Sequence, residues 1–128
     1  AGSARAMVAL AERHLQGGHA VAQDLGQAAA WYGRAAAAGD RGAMGVLGHL
    51  LLGGVGLPGG AEPARAAELF RRGAALGDAG CINGMGRLAE AEGDLGRAAA
   101  LYRRAGERGD ADALYRLAVL HLSAPPAA

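Results

Sequence analysis

One segment of the sequence recurs three times, and this repetition restricts the possible folds more than any other feature. A four-residue stretch that opens with an aromatic residue or leucine and ends in arginine is followed, after small residues, by a Gly-Asp pair. The Gly-Asp pairs that close these three segments, at Gly39, Gly77 and Gly109, lie 38 and 32 residues apart. Repeats of that length are typical of two helices and two turns that stack on the next unit. The three stretches are Trp31 to Arg34, Leu69 to Arg72 and Leu101 to Arg104.

The second helix of each unit, which we call helix B, has its own start and stop signals. Asp24 and Asp94 are suited to cap a helix, because an aspartate oxygen can accept a hydrogen bond from a backbone N–H of the first turn. Pro63 fits the first turn of the middle copy, where its missing N–H costs nothing. We expect each helix B to stop at a glycine, which takes the left-handed conformation without strain. These glycines are Gly39, Gly77 and Gly109.

The first helix of each unit, helix A, is indicated by a small residue, an apolar residue four positions later and a second small residue directly after it. The spacing of four places the first two residues on one helical face, and the small third residue lets a neighbouring helix approach closely. Bulky replacements of Gly48 or Gly86 should therefore destabilise the fold. The four occurrences are Ala6, Leu10 and Ala11; Ala43, Leu47 and Gly48; Cys81, Met85 and Gly86; and Ala113, Leu117 and Ala118.

Together these patterns predict seven helices in the order A1-B1-A2-B2-A3-B3-A4. The predicted fold is all-α, a right-handed superhelical solenoid of helix-turn-helix repeats. We expect one domain over residues 1–128, with repeats at about 5–40, 41–78 and 79–110. A solitary last helix, 111–123, covers the final repeat. Residues 124–128 form a tail, because Pro125 and Pro126 cannot continue a helix.

The units resemble Sel1-like repeats, a branch of the tetratricopeptide-type helical repeats. The resemblance covers about the whole chain and is carried by Asp24 to Asp40, with its Trp-Tyr motif, and by Ala43 to Leu57, with its glycine-rich turn. The third unit lacks that turn. We expect His14 and His121 to be half-buried where the family has a packing tyrosine. The four residues at this tyrosine position are His14, Leu51, Ala89 and His121.

Composition and charge argue against several functions. All 13 basic residues are arginine and the net charge is +1, so there is no overall field to recruit nucleic acid. No stretch approaches the roughly 20 apolar residues of a membrane span. The lone Cys81 excludes an intramolecular disulfide, and its small helix-A position indicates a packing residue. The compartment stays undecided, with the cytoplasm or an organelle lumen favoured.

Three further patterns suggest chemistry but lack the context that the chemistry requires. Gly54 to Gly59 matches a dinucleotide-binding fingerprint, yet no strand precedes it and the resemblance places it in an inter-helix turn. Glu90, Glu92 and Asp94 fall at a helix end, where they should be solvated. We therefore predict no catalytic residue, no cofactor and no metal site. The histidines, none of them paired at a spacing of four, are His14, His19, His49 and His121.

The tetratricopeptide-like register places helix A on the inner, concave wall of the solenoid and helix B outside. The leading hypothesis is a non-enzymatic adaptor or scaffold that binds a peptide, or a subunit of a larger assembly, on the concave wall. Two alternatives stay open. One is a nucleic-acid-associated protein that uses the helix-B arginines Arg34, Arg72 and Arg104, and the other is a peripheral subunit that assembles through its convex face; an enzyme is the least favoured class. The predicted partner-binding residues are Arg5, Glu12, His49, Asn83, Arg87, Glu90, Asp112 and Tyr115.

Overall fold

The computed structural model describes residues 4–16, 25–54 and 59–123. Within these ranges the chain forms seven α-helices and no strand. Each helix has 13 residues and is therefore about 20 Å long. No helix in these ranges is long and apolar enough to cross a membrane. The helices are α1 (Ala4–Gln16), α2 (Leu25–Ala37), α3 (Arg41–Gly53), α4 (Pro63–Ala75), α5 (Ala79–Ala91), α6 (Leu95–Glu107) and α7 (Ala111–Ser123).

The expected stop and start signals of helix B are confirmed where the structure describes them. The glycines that follow α2, α4 and α6 have φ angles of 95°, 84° and 101°. Asp94 caps α6 by accepting a hydrogen bond from the Arg97 N–H at 3.1 Å, and Pro63 lies in the first turn of α4. Asp24 lies outside the described residues.

The aspartate of each Gly-Asp pair that closes a helix B has a role that was not predicted from the sequence. Asp40, Asp78 and Asp110 each cap the following helix A, accepting a hydrogen bond from the backbone N–H three residues on at 2.9, 2.9 and 3.0 Å. The pair is thus a compact joint, in which glycine ends helix B and aspartate begins helix A.

The helices stack in the predicted order as an all-α solenoid. Each described helix packs on the next, and the helix-A members α3 and α5 also pack directly against each other. No two helix-B members in the described ranges pack together to a similar extent. In a curved stack the helices on the inner side lie closest together, so this pattern supports a concave helix-A wall.

The aromatic residues of helix B fill the spaces left by the small residues of helix A. Phe70 of α4 and Tyr102 of α6 are fully buried. A Cβ atom on Gly48 would lie 2.5 Å from Phe70 Cε1, and one on Gly86 would lie 2.6 Å from Tyr102 Cε1. The prediction that these glycines lie at helix contacts is confirmed.

The first and last helices depart from the expected register. Ala6 is exposed and Leu10 is 38% exposed, while Met7 and Val8 pack against the core instead. Cys81, the equivalent small residue of α5, faces the preceding repeat. Ala6 is exposed because no described helix precedes α1.

His121 is exposed, so its predicted half-buried position is wrong. The reason is that no described helix B follows α7, whereas α4 follows α3 and α6 follows α5, so Leu51 and Ala89 at the same repeat position are covered and buried. The side chain of His14 lies outside the described part.

Candidate functional site

A groove of about 460 Å³ runs along the helix-A side, where α3, α5 and α7 come together. Its floor at the α3 end is made of glycine, because Gly42, Gly45 and Gly80 bring no side chain into it. Val46 and six polar side chains form the remaining lining, and we call this surface the inner groove. Four of the eight predicted partner-binding residues line it: His49, Asn83, Arg87 and Asp112.

His49 and Arg87 are joined by a hydrogen bond between two repeats. The Arg87 guanidinium donates from Nη1 to His49 Nδ1 at 2.7 Å. Because arginine can only donate, Nδ1 must be the acceptor, and the ring proton lies on Nε2. That nitrogen then donates to the Gly80 carbonyl at 3.0 Å. The two bonds fix a neutral imidazole in one orientation, and the ring also packs on Phe70 with 4.8 Å between centroids.

The surroundings of His49 favour this neutral form. Burial lowers the pKa of His49, and the positive charges of Arg87 and Arg116 act in the same direction. The hydrogen bond to Gly80 and the charge of Asp112 oppose the shift without reversing it. His49 therefore acts as a hydrogen-bond acceptor that orients the Arg87 side chain.

A second set of polar contacts links α5 to α7. Asn83 is only 2% exposed, and its Nδ2 donates to Asp112 Oδ2 at 2.8 Å. Arg116 donates from Nε to the same oxygen at 2.7 Å. Partial burial acts to raise the pKa of Asp112, but the hydrogen bonds from Arg116 and Asn83 outweigh it and lower the pKa. Asp112 is thus an ionised carboxylate whose charge is matched within the chain.

The other four predicted residues lie outside the inner groove. Arg5 and Glu12 are exposed on α1. Glu90 follows Arg87 by three residues on α5, and its Oε1 accepts a hydrogen bond from the Tyr102 hydroxyl at 2.6 Å. Tyr115 is 69% exposed on α7, at the position that Asn83 occupies in α5. The equivalent residues of α3 and α5, Gly45 and Asn83, face the next helix A. Tyr115 is exposed because no described helix follows α7.

Arg116 was missed among the predicted residues, although the sequence contained a signal for it. An arginine four residues after Asp112 on one helix is the spacing of an intrahelical ion pair. The bond from Asn83 to Asp112 carried no such signal, because it joins residues 29 positions apart.

The arginines of the helix-B members point to solvent. Arg34, Arg72 and Arg104 are exposed on successive helix-B members. Arg34 lies over the Trp31 ring, 4.7 Å from its centroid, which explains why a flat aromatic side chain is tolerated there.

Cys81 is fully buried, as expected of a packing residue, and burial raises the pKa of its thiol. Of the glycine-rich segment from Gly54 to Gly59, residues 55–58 lie outside the described part, as does His19. Gly54 is the left-handed residue that ends α3, with φ of 70°.

In the described ranges seven helices stack with short joints between them, which is the architecture of a helical-repeat solenoid protein. A family model described as Sel1 repeat matches residues 4–40, 42–78, 80–110 and 111–123. The chain belongs to the Sel1 repeat family, whose members generally serve as protein-interaction modules. A search of curated proteins found no match to the chain.

Two solved structures share the fold over nearly the whole chain. One is a protective antigen of uropathogenic Escherichia coli strains that displays an SLR fold, with 29% identity over 92% of this chain and a TM-score of 0.71. The other is a Sel1 repeat protein from Oxalobacter formigenes, with 27% identity over 91% of this chain and a TM-score of 0.73. The chain spans 26% of the first protein and 48% of the second.

Proposed function

We propose that this chain is a non-enzymatic adaptor module that binds an extended peptide segment of a protein partner in the inner groove. The observation that carries the proposal is the pair of hydrogen-bonded networks that line the groove, His49 with Arg87 and Asn83 with Asp112. Both networks cross from one repeat to the next, so their side chains are held in place before any partner arrives. Such preorganisation lowers the entropy cost of binding.

The groove offers what a peptide backbone needs and the outer face does not. Its walls hold a guanidinium donor, that of Arg87, and an amide, that of Asn83, with which a peptide can form hydrogen bonds. The helix-B arginines, in contrast, are solvated side chains on a convex surface. Exposed long side chains must be ordered on binding and are weak contributors to affinity.

A peptide selected from a random-sequence library displayed on phage provides a partner for the test. Truncating Arg87 to Ala should weaken binding of that peptide by about 1–3 kcal/mol, as for a central interface arginine. Arg72→Ala and Arg104→Ala are matched controls, because each removes an exposed arginine from helix B. Circular dichroism on each variant checks that the helices are retained.

The same comparison decides between the surfaces. If the outer variants weaken binding and Arg87→Ala does not, the convex face is the working surface and the proposal fails. The nucleic-acid alternative would then be favoured if the chain binds a nucleic acid through the outer arginines and this binding weakens steeply as the salt concentration rises.

A further inference from the structure

Arg87 is a half-buried cation that no carboxylate of the described residues contacts directly. No such carboxylate lies within 4 Å of its guanidinium, and its one hydrogen bond to these residues goes to the neutral ring of His49. Burial lowers the pKa of Arg87 and the charge of Arg116 adds to this, while Asp112, Tyr102 and Glu90 oppose the shift without reversing it. A guanidinium has five N–H donors in a planar fork, so most of the donors of Arg87 have no acceptor among the described residues.

The carboxylates that line the inner groove are already matched. Asp78 and Asp110 accept hydrogen bonds from the first turns of α5 and α7, where the positive end of the helix dipole offsets a negative charge. Asp112 is held by Arg116 and Asn83. Three carboxylates and one guanidinium line the groove, and among the described residues the Arg87 guanidinium is the lining charge without a direct ion pair or a helix-dipole partner.

Asn83 supplies a second, independent observation. Its side chain is 98% buried beneath the groove, and its Oδ1 accepts no hydrogen bond from the described part of the chain. A buried acceptor without a donor is destabilising, because it has lost its hydrogen bonds to water. A ligand that brings a backbone N–H into the groove, with a small rotation of the Asn83 amide, would give this oxygen a donor.

We infer that the inner groove binds its peptide through an internal acidic side chain, whose carboxylate accepts two hydrogen bonds from the guanidinium of Arg87. A backbone N–H of the same segment donates a hydrogen bond to Asn83 Oδ1. The inference rests on the proposed function, because it names the partner chemistry of that groove. Bidentate contact between arginine and a carboxylate is among the strongest hydrogen-bonded pairs in proteins.

The test uses fluorescein-labelled peptides from the library selection, each with an amidated C-terminus, and fluorescence anisotropy on the full chain. The acidic residue of each peptide is changed from Glu to Gln, and the protein carries Arg87→Gln or, as a matched outer control, Arg72→Gln. We expect Glu→Gln in the peptide to weaken binding to the unmodified protein by about 10- to 100-fold. The same peptide change should have little further effect on the Arg87→Gln protein, since the two groups act as one pair.

Each alternative outcome overturns a definite part of the account. If Glu→Gln and Arg87→Gln are both silent while Asn83→Ala or His49→Ala weakens binding, the acidic-side-chain inference is wrong and the groove still binds peptide. If binding requires a free C-terminal carboxylate and not the internal glutamate, the inferred source of the carboxylate is wrong. If Arg72→Gln weakens binding and no groove variant does, or if the selection yields no groove-dependent peptide, the proposed function falls together with the inference.

Discussion

Replacing Gly48 by alanine tests the packing that builds the inner groove. Helix propensity alone favours the change by about 1 kcal/mol, so the sequence suggests a neutral or stabilising result. The structure reverses that expectation, because the added Cβ would lie 2.5 Å from Phe70 Cε1 and within 2.9 Å of two further ring atoms. Gly84 of α5 is pressed against the same ring, so Phe70 has no free side to which it can retreat.

The magnitude follows from these opposing effects. Overpacking a buried contact costs about 1–3 kcal/mol, and the gain in helix propensity offsets about 1 kcal/mol of it. We expect Gly48→Ala to destabilise the fold by about 1 kcal/mol, which corresponds to a loss of roughly 4 °C in Tm for a domain of this size. Gly48→Leu should be worse, since it adds three more carbons at the same point.

Gly33→Ala on α2 is the matched control. Gly33 also lies inside a helix, but its nearest neighbour is Leu47 Cδ2 at an ordinary contact distance of 3.9 Å. That variant should gain about 0.5–1 kcal/mol. Urea unfolding followed by circular dichroism measures both variants. If Gly48→Ala is as stable as Gly33→Ala, the close contact between α3 and Phe70 does not exist, and the register of helix A is wrong.

Three further predictions concern local stability and protonation. Amide hydrogen exchange should be faster in α1 than in α3 and α4, because Ala6 and Leu10 are exposed and no described helix covers that side; equal protection would mean that another chain covers α1. Because the folded-state pKa of His49 is lowered by burial and by Arg87 and Arg116, despite Asp112, the unfolded state binds a proton first as pH falls below about 6.5. Stability should therefore decline below that pH by at most about 1.4 kcal/mol per pH unit from this residue, and the slope should be smaller in His49→Gln in a urea titration at pH 5–7. Iodoacetamide should modify Cys81 only in denaturant, since the thiol is buried and its pKa is raised; rapid alkylation of the folded chain would show that the contact between α4 and α5 opens.

The fold was predictable because the signals repeat and each is local. Each signal acts within one helical turn: a left-handed glycine ends a helix, and an aspartate or proline begins one. Three copies of these start and stop residues therefore fix the helix boundaries. The aromatic residue of helix B and the glycine of helix A, such as Tyr102 and Gly86, could be matched by register alone.

The parts that could not be predicted depend on what covers a helix. Cys81 and Ala6 share one repeat position, yet the first is buried and the second exposed, because only α5 has a described repeat in front of it. His121 is exposed for the same reason at the other end. A repeat pattern describes an average unit, and the end units of a stack differ from it by their missing neighbour.

Four of the side chains that line the inner groove could be predicted from the sequence, but the hydrogen bonds that join them could not. The helix-A register selected the four residues that line the inner groove together with four that do not. The link from Asn83 to Asp112 and that from Arg87 to His49 each join residues that are about a repeat apart, and such pairing depends on the superhelical geometry. That no carboxylate of the described residues contacts the Arg87 guanidinium becomes visible only after the surrounding partners have been assigned.

The most direct test of the proposed inner groove is a footprint of a library-selected peptide on the ¹⁵N-labelled chain by NMR. The account predicts that the largest amide and guanidinium shifts fall on α3 near His49, on α5 from Asn83 to Arg87 and at the start of α7. Shifts centred on the helix-B members that carry Arg34, Arg72 and Arg104, with the inner groove unchanged, would contradict it.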